Sequence, residues 1–198
     1  MTGRIVILNG APRSGKSAIA HAMQAGLSGN WINLGVDAYN RAMPPELLPG
    51  IGLRPGGERP DLEPALPGLW FALYDSIAAH ARLNQNVVAD VGHHDGYSHS
   101  LNILPACARR MAGLHVLFVG IRCPIEVIMA RRNADPDSMY IKGPGVPEPV
   151  QRWQDAVHVP GIYDLELDTG TLTPQACVSR INAALEHKPA AFERLAAL

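Results

Sequence analysis

Residues Gly10-Ala11-Pro12-Arg13-Ser14-Gly15-Lys16-Ser17 spell G-x-x-x-x-G-K-S directly after the apolar run Ile5-Val6-Ile7-Leu8. That run reads as a buried strand, and Ala18-Ile19-Ala20-His21-Ala22-Met23 reads as the start of a helix. Strand, glycine loop and helix together are the setting a phosphate-binding loop requires. The chemistry would be anion capture. Glycine at 10 and 15 admits backbone geometry that a Cβ forbids, so successive amides and the helix N-terminus face phosphate oxygens. Lys16 would reach the β- and γ-phosphates, and the Ser17 hydroxyl would ligate Mg2+. The nucleotide-contacting stretch is therefore expected to run from Gly10 through Ala18, with Arg13 facing solvent or touching phosphate. A nucleoside triphosphate is the expected ligand.

Phosphoryl transfer asks for an acceptor oxygen held in line, a metal on the phosphates and positive charge over the moving group. A hydroxyl acceptor also gains from a carboxylate that takes its proton. Asp37, at the end of Leu34-Gly35-Val36-Asp37, is the candidate base, with helix capping as the plain alternative. Asp90 follows Asn86-Val87-Val88-Ala89 and joins Ser17 as the candidate metal residue, against a turn-initiating role before Val91-Gly92. Arg131 and Arg132 are the candidate catalytic cations beside Lys16; otherwise they are helix-end charges complementing the dipole. His93, His94 and His99 surround Asp95, but adjacent histidines diverge and no set of four ligands is visible. They read as a polar loop.

The elements that must position these groups follow from the apolar pattern. Further strands are expected over Trp31 to Val36, Asn86 to Val91, His115 to Ile121 and Tyr163 to Asp168. Trp70, Phe71, Tyr74, Ile77, Ala78 and Ala81 form one apolar helix face. Other helices are expected over Ser98 to Met111, over Pro124 to Arg132, and from Pro174 to Glu186 with Thr173 as the cap. Strands alternating with helices predict an α/β fold of the P-loop NTPase kind: three layers, α/β/α, around a five-stranded parallel sheet. Ligands on such sheets bind at the strands' carboxyl ends. Two Pro- and Gly-rich stretches break the alternation, residues 44–68 on the expected acceptor side and 131–149 as an expected lid.

With 198 residues, 47% hydrophobic, the chain fits one domain with a sizeable core. A net charge of −1 offers no track for nucleic acid and no membrane-surface patch. Three separated cysteines, Cys107, Cys123 and Cys177, read as free thiols in a reducing compartment. With no leader pattern before Arg4 and no run long enough to cross a bilayer, the cytoplasm is the expected address.

With these residues in view, the chain resembles the chloramphenicol phosphotransferases, small P-loop kinases of the nucleoside-monophosphate-kinase type. The likeness covers nearly the full length. Beyond the loop it rests on Gly35-Val36-Asp37, Ala42-Met43-Pro44, Val119-Gly120-Ile121-Arg122-Cys123, His158 and Tyr163-Asp164-Leu165-Glu166-Leu167-Asp168-Thr169. It implies ATP and Mg2+ as cofactors and Asp37 as the base that activates a substrate hydroxyl. It departs from the family pattern at Ala38, at Val91 and at Asp135, which stands where the second lid arginine belongs, leaving Arg132 or Arg152 to substitute. The lid is also longer here, around Tyr140 to Pro147.

The expected partner is a small hydroxyl-bearing molecule, with chloramphenicol the leading candidate; a homo-oligomer stays open. Leu47, Leu48, Ile51, Leu53, Leu66, Leu69, Trp70 and Phe71 would line an apolar acceptor pocket, or are ordinary core. Arg41, Arg54 and Arg59 show no common face for gripping an acceptor phosphate. Two rival readings stand beside this one: a zeta-toxin-like kinase of a nucleotide or sugar nucleotide, and a non-catalytic nucleotide-binding switch.

Overall fold

A computed structural model describes residues 2–135 and 145–198. Five strands form one parallel sheet in the order β2-β3-β1-β4-β5: β1 (Arg4–Asn9), β2 (Trp31–Asn33), β3 (Asn86–Val91), β4 (His115–Arg122) and β5 (Leu165–Asp168). Parallel strands need crossovers, and here helices cover both faces, which is why the central strands are apolar at consecutive positions. Along β1, Ile5 and Ile7 join one buried cluster while Val6 and Leu8 join the other. The first cluster holds α3 (Leu66–Arg82), α4 (Ile103–Arg110) and α8 (Ala191–Ala196). The second holds α1 (Lys16–Gly26) and α7 (Pro174–Ala184). The three-layer arrangement expected from the alternation is present.

Several boundaries differ from expectation. β2 stops at Asn33, and the chain turns at Gly35 into α2 (Val36–Asn40), so Asp37 lies in a helical first turn rather than at a strand end. The helix expected from Ser98 begins only at Ile103. Asp95 holds the preceding segment by accepting from the Leu101 and Asn102 amides, and Asn102 adopts φ +50°. β5 begins at Leu165, and the Asp164 side chain just before it accepts from the amides of Phe118 in β4 and of Ala190 and Ala191. Thr173 does cap α7, accepting from the Ala176 amide at 3.2 Å.

Residues 44–68 are not a loose excursion. They contain three single-turn helices, and Ile51, Leu53, Leu62 and Leu66 anchor them in the larger cluster. α5 (Ile125–Ala134) leads toward the expected lid, of which residues 136–144 lie outside the described residues. α6 (Glu148–Ala156) and α8 were not expected from the apolar pattern. Cys107, Cys123 and Cys177 are free and buried.

Candidate active site

The loop after β1 is built by tight packing. A Cβ on Gly10 would stand 2.6 Å from the Ile121 carbonyl oxygen, and Gly15 sits at φ +96°, so neither position tolerates a side chain. α1 starts at Lys16 with no capping side chain and no acidic residue in its first turn among the described residues. Its leading amides are thus left for an external acceptor. Lys16 Nζ donates to the carbonyls of Gly10 (2.8 Å) and Ala11 (2.9 Å). Burial pushes its ammonium down to about 8, against the opposing pull of Asp90 and Asp37.

Register places Asp90 beside Leu8, immediately before the loop. The Ser17 hydroxyl donates to Asp90 Oδ2 at 2.7 Å. Gly35 makes this possible on the other side: a Cβ there would stand 1.8 Å from Asp90 Oδ1. The glycine before Asp37 therefore brings the α2 turn against the Asp90 carboxylate. Gly10, Pro12, Arg13, Lys16, Ser17, Asp37 and Asp90 all border one cleft of about 500 Å3, closed by Ile51, Gly52, Gly92 and Trp153. A hydroxyl and a carboxylate side by side are hard oxygen donors of the sort Mg2+ takes.

The other sequence-identified residues lie around this cleft. Ala11 and Ser14 are buried in the loop, and Ala18 is exposed on the first turn of α1. Arg131 does not border the cleft. Its guanidinium donates to the carbonyls of Arg13 (3.1 Å) and Thr169 (2.8 Å) and to Cys123 Sγ (3.4 Å), while Thr169 Oγ1 donates to the Ser14 carbonyl at 2.6 Å. It braces the far side of the phosphate loop. Arg132 lines a smaller cavity next door, and Asp135 pairs with Arg13 at 2.6 Å. Arg152, the other candidate substitute for a lid arginine, pairs with Glu58 and Glu148.

Of the eight apolar residues expected to line an acceptor pocket, Ile51 alone borders the cleft among the described residues. Leu53, Leu66 and Trp70 are core, Leu69 and Phe71 pack against it, and Leu48 is 39% exposed. Arg54 pairs with Glu58 and Arg59 with Asp61. The histidines also serve the fold. His93 stacks on Trp70 with its ring nitrogen 2.8 Å from Tyr74 Oη, and burial pushes it down to about 3; His94 Nε2 meets the Leu53 carbonyl at 2.8 Å. Among the described residues, no three side chains of metal-binding type converge.

Two residues outside the sequence reading shape the site. Trp153 of α6 brings the rim of its indole against Gly92, where a Cβ would come within 3.0 Å of it. Val150, Trp153 and Val157 stand at i, i+3 and i+7, a helical signal hidden by the prolines at 147 and 149. Asn9, 1% exposed, accepts from the His93 amide (2.7 Å) and donates to the Val157 carbonyl and Tyr163 Oη (2.8 Å each). A larger cavity, about 670 Å3, lies elsewhere, between Met111, Val116 and Phe192, and is lined by none of these residues.

Comparison with known proteins agrees with this layout. A family model described as chloramphenicol phosphotransferase-like protein matches residues 3–186. Two Mycobacterium tuberculosis proteins provisionally named O-phosphotransferases are 29% identical over 188 residues, covering 87% of this chain and 77% of theirs. Among solved structures, a sugar kinase from Janibacter superposes with a TM-score of 0.61 at 19% identity, over 96% of this chain and 98% of its own. The APS kinase of Mycobacterium tuberculosis, solved with AMPPNP and APS, gives 0.60 at 19% identity, over 94% and 99%. Likeness at that identity speaks for the fold alone.

Proposed function

Because the chain belongs to the chloramphenicol phosphotransferase-like family, we propose that it transfers the γ-phosphoryl group of ATP to a hydroxyl of a small molecule. The observation that carries this reading is the meeting of Lys16, Ser17, Asp37 and Asp90 around one cleft at the carboxyl edge of the sheet. The loop amides and Lys16 bind the phosphate chain, the ammonium exchanging the Gly10 and Ala11 carbonyls for phosphate oxygens. Ser17 and Asp90 would hold Mg2+, which would offset charge on the phosphates. Asp37 is exposed toward the cleft and accepts the acceptor's hydroxyl proton as its oxygen bonds to phosphorus. The bond from the γ-phosphorus to its bridging oxygen breaks, and ADP leaves with that electron pair. Arg131 acts from behind, keeping the loop's shape through Arg13 and Thr169. Arg132, which lines the adjoining cavity, adds positive charge beside the cleft.

Chloramphenicol, the acceptor in the family's name, is the first to assay. ADP release that depends on a hydroxyl acceptor, with the acceptor gaining one phosphate by mass spectrometry, is the expected result. Asp37→Asn should keep ATP affinity and lose at least ~10²-fold in kcat, the low end for removal of a general base. ATP binding without acceptor-dependent turnover would instead mark a nucleotide-binding switch.

A further inference from the structure

The contacts of the Asn9 carboxamide fix the direction of every hydrogen bond around it. Its oxygen must face the His93 amide and its nitrogen the Val157 carbonyl, because neither backbone partner can exchange roles. The second Nδ2–H therefore donates to Tyr163 Oη at 2.8 Å. With its oxygen engaged in that way, the Tyr163 hydroxyl has its own proton to place, and His158 Nδ1 stands 2.8 Å away. His158 is thus the acceptor, neutral and protonated on Nε2; the opposite tautomer would strand the phenolic proton. The imidazole lies at the wall of a cavity of about 320 Å3 that it lines with Gln154 and Asp168. Burial, reinforced by Arg122 and Lys16 and opposed by Glu166, pushes it down to about 4, in keeping with a neutral ring.

The ring that delivers this hydroxyl is itself closely held. Tyr163 lies on Gly120 of β4, where a Cβ would stand 2.8 Å from the ring, and tilts against Phe118 with centroids 4.8 Å apart. Gly120 is the residue of β4 that pairs with Asn9. Asn9, 1% exposed, ends β1, and the next residue is Gly10, whose carbonyl with that of Ala11 holds Lys16. We propose that Tyr163 and His158 are positioning residues for the phosphate loop: His158 orients the Tyr163 hydroxyl, the hydroxyl completes the clamp on Asn9, and the clamp keeps the loop in the shape a phosphate chain requires. Neither is among the described residues that border the reaction cleft, so both act through Asn9. This assignment rests on nucleotide binding at the loop, as read above, and adds two residues to it.

Tyr163→Phe removes one oxygen and keeps the ring on Gly120. It leaves an Asn9 N–H buried without an acceptor, and the loop answers by shifting. The Kd for MgATP, read by calorimetry, should rise at least about tenfold, in the range for a stranded buried donor, with the acceptor's KM unmoved. His158→Asn keeps an acceptor oxygen near the Nδ1 position and should bind MgATP nearly as tightly as the wild type, whereas His158→Leu should resemble Tyr163→Phe. Nitrogen-15 NMR of the wild-type imidazoles near neutral pH should show His158 protonated on Nε2 alone. A Tyr163→Phe protein that melts lower yet binds MgATP unchanged overturns the proposal, because the network would then serve the fold only. Protonation of His158 on Nδ1 overturns it too, as does His158→Asn binding no better than His158→Leu. Should Tyr163→Phe not fold, the two His158 variants and the NMR signal decide. A wild-type protein that binds no MgATP overturns the nucleotide reading itself.

Discussion

Lys16 carries opposite obligations in the free and the loaded protein. Its ammonium, ordinarily near 10.5, is pushed down to about 8 by burial. A phosphate chain needs that charge, so affinity for MgATP should weaken by roughly tenfold per pH unit above 8. Calorimetric titration across that range checks it, and a flat Kd would count against the assignment. Stability of the free protein has the other sign. The folded value lies below the unfolded one, so folding sheds a proton between pH 8 and 10.5, and the Lys16 contribution rises through that window. Gly35 is the second decisive residue. Gly35→Ala would drive a methyl into the Asp90 carboxylate and, at 2.8 Å, its carbonyl oxygen. Overpacking of this kind costs about 1–3 kcal/mol. A lower Tm together with a higher Mg2+ requirement is expected, since Asp90 would be moved off Ser17.

Among the elements, α6 contributes most that the pattern of residues concealed. Trp153→Ala should cost about 3–5 kcal/mol in denaturant unfolding, the usual effect of emptying a buried indole site, and should open the cleft and the smaller cavity beside it at once. β1, β3 and β4 were readable because strands covered on both faces are apolar at every position, and the loop because its fixed residues stand between strand and helix. The end of β2 was not. Leu34 and Val36 look like strand residues, yet the close approach of Gly35 to Asp90 forces the chain to turn there, and only the fold supplies that contact. Asp37 borders the cleft all the same, because either a strand end or a first helical turn puts it at the sheet's carboxyl edge. Arg131 and Arg132 were read as a pair. Neighbours on a helix point about 100° apart, and these two duly separate, one under the loop and one into the smaller cavity beside the cleft. The expected acceptor side was least legible: of its apolar residues Ile51 alone borders the cleft among the described residues, and Leu53, Leu66 and Trp70 are core.

At the level of the whole molecule, nucleotide binding should be felt as stability. Saturation with MgATP at about a hundred times its Kd adds about 2.7 kcal/mol, or roughly 5–10 °C in Tm for a chain of this size. Lys16→Ala should abolish the shift, read by calorimetry. No helix among the described residues is long and apolar enough to cross a membrane. The chemistry gathers at one edge of the sheet, and Asn9 stands at its centre. One side-chain amide is tied simultaneously to the exit of β3, the end of α6 and the approach to β5. The floor of the site is therefore a fixed datum. Whatever travel substrate entry demands is left to the outer segments, and donor and acceptor are each aligned against the same immovable mark rather than against one another.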